Sequence, residues 1–248
     1  MAGPIRCKYR YQKTVEMLER FPFLKEKGHV ISLVGAGGKT TLMYALARQF
    51  TKIGARTLVT TTTHIYKPKE KLWACSSEEI QNLWRQGSYA VVGEAAEEGK
   101  LAGLPAQELS AYAKLADIIL IEADGAKRMP CKVPADHEPV LLEDSDIVVG
   151  VMGMAAYGKT IEEACFRKEE AARLLGIRKT DLLTAERMAA ILESDKGTRK
   201  NVGCRDYYVV LNQCDNEVRR QAAEKIRKLL EKQGIHSCVL MSFGEERN

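Results

Sequence analysis

The run His29-Val-Ile-Ser-Leu-Val-Gly-Ala-Gly-Gly-Lys-Thr-Thr41 combines residue types in the order that phosphate chemistry needs. Gly35, Ala36, Gly37 and Gly38 make a glycine-rich turn whose N–H groups can curl around phosphate oxygens. The helix that follows adds partial positive charge at its N-terminus. Lys39 is placed to reach the β- and γ-phosphates of a nucleotide, Thr40 offers a hydroxyl ligand for Mg²⁺, and Thr41 completes the binding run. The spacing departs from GxxxxGK[ST], because Leu33 stands where that pattern requires its first glycine.

Other chemistry-bearing residues fall at the ends of apolar runs. Ile118-Ile-Leu-Ile-Glu122-Ala-Asp124-Gly125 reads as a Walker B strand, with Glu122 and Asp124 two apart and so on one side of it. One carboxylate, assigned to Asp124, holds Mg²⁺ together with Thr40; the other accepts a proton or orients a nucleophile. Lys39, Glu122 and Asp124 are thus the candidate catalytic set. Thr60-Thr-Thr-Thr-His64 ends a second run, and Thr62, Thr63 and His64 are its candidate substrate-side residues. Lys127, Arg128 and Lys132 follow the carboxylates and read as an anion-binding lip, with Lys132 on the substrate side. Asn212-Gln-Cys-Asp215 resembles the NKxD element that reads guanine, giving Asn212 and Asp215 to the base. Gln213 replaces the lysine of that element, so ATP and GTP both stay open.

The elements needed to hold these groups are legible as alternation. β-Branched runs at His29–Val34, Ala55–Thr61, Tyr89–Val92, Asp117–Glu122, Asp146–Met152, Asp206–Leu211 and Ile235–Met241 alternate with helical stretches. Those stretches begin near Lys39, Glu78, Ala106, Arg167, Thr184 and Asn216. Runs such as ADIILIE are apolar on both faces, as strands covered by helices on both sides must be. The fold class is α/β: a doubly wound, mostly parallel sheet flanked by helices and P-loop NTPase-like. Residues 1–28 read as an N-terminal leader with a short helix, and 29–248 as a single nucleotide-binding domain. Gly93–Leu104, with three glycines and three carboxylates, fits the alternation poorly and implies a hairpin or a mobile loop over a site.

Composition narrows the class. The 248 residues are 45% hydrophobic and 29% charged, which excludes disorder and fibrous repeats. A net charge of +5 is too mild to imply nucleic acid. No apolar stretch approaches the roughly 18 residues of a membrane span. Seven cysteines without a CxxC pair point to a reducing, cytoplasmic setting in which they are small buried hydrophobes.

The blocks VGAGGKTT, VTTTTHI, LIEADGAKRMPCKVPADHEPV, DIVVGVMGMAAYGKTIEEACFR and VVLNQCD together resemble the selenium-dependent molybdenum hydroxylase accessory family of YqeC type. That resemblance implies a P-loop NTPase-like fold and a role in maturing or supplying such a hydroxylase. The partners it implies are the hydroxylase or its cofactor-assembly proteins. With the residues above, it gives an Mg²⁺-dependent nucleotide-binding accessory protein that hydrolyses its nucleotide. A nucleotide-gated delivery protein with little turnover and a small-molecule kinase are the alternatives.

Overall fold

Strands that are apolar on both faces need cover on both faces, and the chain supplies it. The computed structural model describes residues 21–68 and 71–243, so most of the leader and short helix expected within residues 1–28 lies outside the described residues. In chain order the strands are β1 (His29–Gly35), β2 (Thr57–Thr61), β3 (His64–Tyr66), β4 (Ala90–Val91), β5 (Glu94–Ala95) and β6 (Lys100–Ala102). They continue with β7 (Ile118–Glu122), β8 (Cys131–Lys132), β9 (Ile147–Gly153), β10 (Cys165–Phe166), β11 (Asp206–Asn212) and β12 (Cys238–Leu240). The helices are α1 (Lys39–Lys52), α2 (Ser77–Arg85), α3 (Ala106–Ala113), α4 (Ile161–Ala164), α5 (Lys168–Leu175), α6 (Ala185–Glu193) and α7 (Glu217–Lys232).

Seven strands form one sheet in the order β12-β11-β9-β1-β7-β2-β4, every neighbouring pair parallel. The expected α/β class with a parallel sheet is therefore the fold observed. The period-two alternation of side chains explains its layering. Ile31 and Leu33 of β1, Ile118 and Leu120 of β7, and Val149 and Val151 of β9 pack with Leu42, Leu46 and Phe50 of α1. From the opposite face, Ile119 and Ile121 of β7 meet Ile80 of α2 and Leu109 of α3. Val209 and Leu211 of β11 meet Met188 and Leu192 of α6 and Ile226 of α7 on that side. Each such side chain, fully buried, contributes about 1.5–3 kcal/mol.

β1 lies between β9 and β7, with Leu33 opposite Glu122 and Gly35 opposite Val151. The glycine-rich loop therefore leaves the middle of the sheet with the carboxyl ends of β7 and β9 beside it. In open α/β sheets ligands sit outside those carboxyl ends.

Two small sheets lie outside this frame. Gly93–Leu104 contains the antiparallel pair β5–β6, and β6 also pairs antiparallel with β3, giving the order β3-β6-β5. Of the two expectations for that segment, the hairpin is the one found. β8 and β10 form a separate parallel pair, with Cys131 opposite Cys165 and Lys132 opposite Phe166.

Candidate functional site

β1 ends where glycine becomes obligatory. Gly37 has φ +86°, and a Cβ there would fall 2.2 Å from the Gly153 nitrogen. Gly38 has φ +111°, and a Cβ there would fall 2.5 Å from Asn212 Nδ2. These two positions bring the loop against the ends of β9 and β11. Asn212 holds it there, its Nδ2 donating to the Gly37 carbonyl at 2.7 Å. The first backbone hydrogen bond of α1 runs from Leu42 N–H to Gly38 C=O, so the preceding N–H groups have no intrahelical acceptor and stand beside the cavity.

Lys39 is buried and folds back over its own loop. Its Nζ donates to the Gly35 carbonyl at 2.5 Å and pairs with Asp124 Oδ1 at 3.1 Å. Asp124 Oδ2 accepts from the Gly35 N–H at 3.1 Å and pairs with Lys132 Nζ at 3.1 Å. Lys132, fully buried, continues to Glu138 Oε2 at 3.0 Å, which also pairs with Arg167 Nε at 2.9 Å. Five side chains of alternating sign thus run from the loop lysine to Arg167. Burial alone would raise the Glu138 carboxyl, but Arg167, the Ala135 N–H and Lys132 outweigh it and bring it down to about 2.

The other carboxylate faces a different partner. Thr40 Oγ1 donates to Glu122 Oε2 at 2.6 Å. Burial pushes the Glu122 carboxyl above its ordinary value, against the opposing pull of Lys39 and the Thr40 hydrogen bond. The carboxylate in contact with Thr40 is therefore Glu122, whereas Asp124, assigned to the metal from sequence, is engaged by two lysines and a backbone N–H. Two hard oxygen donors side by side, one a buried carboxylate without a full counter-ion, suit a small hard cation.

A cavity of 1720 Å³ opens over the loop. Gly37, Gly38, Lys39, Thr40, Thr41, Thr63, His64 and Glu122 line it. Of the remaining expected residues, Gly35 and Ala36 lie beneath the loop, and Thr62 turns its hydroxyl to the Val140 carbonyl at 3.5 Å. Lys132 lies in the buried network rather than on the cavity wall. Asn212 is buried behind the loop with its Oδ1 unpartnered among the described residues, while Gln213 beside it reaches the wall. Asp215 is not brought to the cavity: Oδ1 accepts from Ser242 Oγ at 2.5 Å and Oδ2 pairs with Arg219 at 3.3 Å.

Residues not singled out from sequence complete the wall. Tyr44 and Arg48 line it from α1, spaced four and eight residues beyond Thr40 and so on its helical face. That spacing was the available signal. Tyr66 of β3 lines it two residues beyond His64, on the same side of the strand. The cysteines nearest the expected site loops offer little nucleophilicity: burial raises the Cys75 thiol and pushes Cys214 up to about 12.

Fold and site together define a parallel α/β protein built around a strand–glycine loop–helix cradle. The YqeC protein family matches residues 31–169, more than half of the chain. YqeC of Escherichia coli (strain K12) is 34% identical over 202 residues, covering 76% of this chain and 78% of that protein. The chain belongs to the YqeC family. Among solved structures, the hydrogenase maturation factor HypB of Archaeoglobus fulgidus aligns over 95% of this chain and 88% of its own, at 15% identity and a TM-score of 0.40. No helix among the described residues is long and apolar enough to cross a membrane.

Proposed function

We propose that this chain binds Mg²⁺–nucleoside triphosphate on the Gly35–Thr41 loop and hydrolyses it while serving the maturation of selenium-dependent molybdenum hydroxylases. The observation that carries the nucleotide reading is the loop itself: glycines at φ +86° and +111°, a buried lysine, and a Thr–Glu pair at 2.6 Å around one cavity. Thr40 and Glu122 are the residues that would hold Mg²⁺, which when bound neutralises phosphate charge. Retained waters and phosphate oxygens complete the coordination of such an ion.

The chain's own groups have distinct tasks in this reading. The loop N–H groups and Lys39 bind and orient phosphate oxygens, with Lys39 exchanging its contact with the Gly35 carbonyl for them. Asp124 keeps the lysine at the loop through that exchange. Glu122, hydrogen-bonded to Thr40 beside the ion, orients the attacking water. Asn212 fixes the loop from behind, and Asp215, held by Ser242 and Arg219 away from the cavity, could read the base only by leaving those partners; a GTP preference lost in Asp215→Ala supports that role, and equal binding of ATP and GTP opposes it.

The hydroxylase role is carried by the family resemblance of the sequence blocks. It is tested in a host that makes a selenium-dependent molybdenum hydroxylase by deleting this chain. Hydroxylase protein at normal abundance with lost activity, restored by wild type and not by Lys39→Ala, supports the role. Full hydroxylase activity in the deletion strain overturns it.

A further inference from the structure

The cavity is larger than one ligand needs. Sites for a drug-sized molecule span about 300–1,000 Å³, against 1720 Å³ here. The excess lies on the β2–β3 side of the loop, the opposite direction from β11 with Asn212 and Gln213, since β1 separates the two in the sheet.

That end carries more cations than carboxylates: Glu97 and Glu98 are the acidic residues on its wall, and Glu98 pairs with Lys100. Arg48, Lys67, Lys127 and Arg128 all line it, and among the described residues none makes a side-chain hydrogen bond or an ion pair with a carboxylate. Lys100 is the contrast, pairing with Glu98. Three of these four cations rest on rings instead: the Arg128 guanidinium lies 5.0 Å from the Tyr66 ring centre, and Lys127 Nζ 5.6 Å from that of Phe166. Lys67 Nζ lies 4.0 Å from the Trp73 ring centre.

The backbone adds an independent observation. Lys127 and Arg128 are consecutive non-glycine residues in the left-handed region, at φ 44° and 62°. Such conformations are costly for L-residues and concentrate where side chains must be aimed at a ligand. Here the turn sets two uncompensated cations at the cavity wall directly after the carboxylates of β7, Arg128 over Tyr66 and Lys127 toward Phe166. Tyr66 is 48% exposed, and Arg128 and Lys100 both lie over its ring, so a stacked ligand would displace one of these cations toward its own phosphate.

We propose that the Tyr66–Arg128 end of this cavity is a second ligand site, taking a small organic phosphate that carries a flat ring. The guanidinium fork matches phosphate in bidentate fashion, neighbouring cations complete the charge, and Tyr66 stacks the ring. Calling it the second site rests on a nucleotide occupying the Lys39 end.

Flavin mononucleotide serves as the probe, followed by its fluorescence during titration of the full chain, with riboflavin as the uncharged control and phenyl phosphate as a smaller ring phosphate followed by calorimetry. The expected result is that flavin mononucleotide or phenyl phosphate binds with excess Mg²⁺ and a non-hydrolysable ATP analogue present, while riboflavin binds far more weakly. Arg128→Gln weakens binding about tenfold or more, and Tyr66→Leu weakens it less. Arg128 and Tyr66 are exposed, so both variants fold. Displacement of both probes by the nucleotide, unchanged affinity in Arg128→Gln, or binding of neither probe overturns the site. Loss of nucleotide binding with probe binding kept and dependent on Arg128 overturns the nucleotide reading instead and leaves this anion site standing.

Discussion

The Thr40 hydroxyl donates to Glu122 Oε2 across 2.6 Å, so the first turn of α1 and the last residue of β7 share one polar contact at the edge of the cavity. Thr40 follows the glycine turn directly, and Glu122 ends the strand beside β1. Sequence places the two 82 residues apart; the parallel pairing of β1 with β7 brings them together.

Glu122→Gln separates stability from function. Burial raises the Glu122 carboxyl above its ordinary 4.5, so the folded chain holds that proton more tightly than the unfolded chain does. Its contribution to stability is therefore present at low pH and declines as pH rises from 4.5 through the raised value. The variant is expected to raise the ligand-free Tm at neutral pH by about 2–4 °C, as for roughly 1 kcal/mol in a chain of this size. It is also expected to weaken the Mg²⁺ dependence of nucleotide binding about tenfold. Scanning calorimetry across pH and nucleotide titration with and without Mg²⁺ measure both.

Glu138→Gln has the opposite sign. The Glu138 carboxyl is lowered to about 2, so its stabilisation is present above 4.5 and lost as pH falls toward 2. Removing this charge leaves Lys132 buried with one partner fewer and is expected to cost about 3–5 kcal/mol at pH 7. Urea unfolding should show that gap between variant and wild type narrowing steadily below pH 4.5.

Gly37→Ala tests the shape of the loop. A Cβ at φ +86° would sit 2.2 Å from the Gly153 nitrogen, and backbone on both sides leaves little room to yield. A loss of about 1–3 kcal/mol or more is expected in urea unfolding. Nucleotide binding should be reduced even in conditions where the variant remains folded.

Asn212→Ala should weaken ATP and GTP alike. It removes the donor at 2.7 Å from the Gly37 carbonyl, loosening the loop and leaving a buried acceptor unpaired. About tenfold weaker binding of both nucleotides is expected by calorimetry, with their ratio unchanged. A changed ratio with unchanged mean affinity would place Asn212 against the base rather than behind the loop.

Much of the fold was legible because its main strands are long and apolar on both faces. HVISLV, ADIILIE, DIVVGVM and DYYVVL each sit between polar or glycine boundaries, and the helices between them carry amphipathic spacing. Strands β3, β5, β6, β8 and β10 span two or three residues each, too short for any period to show. They exist because a neighbour accepts their hydrogen bonds. Within the site, the loop and its carboxylates are local in sequence and were read there. The assignment of Asp124 to Mg²⁺ rested on its distance along the strand from Glu122. Its actual neighbours, Lys39 and Lys132, come from two different elements, and Glu138 and Arg167 extend the network through pairings 29 residues apart. Tyr66 and Arg128 meet only through the tertiary approach of β3 to the turn after β7.

The most direct test of the account is isothermal titration of the full chain with Mg²⁺–ATP and Mg²⁺–GTP, wild type against Lys39→Ala. Lys132 still pairs with Asp124 in that variant, so the loop keeps one of its anchors. Saturable binding of at least one nucleotide by wild type is expected, weakened about tenfold to a hundredfold in Lys39→Ala, as for the loss of a charged hydrogen bond to phosphate. Binding of neither nucleotide by wild type, or equal binding by the variant, would contradict it.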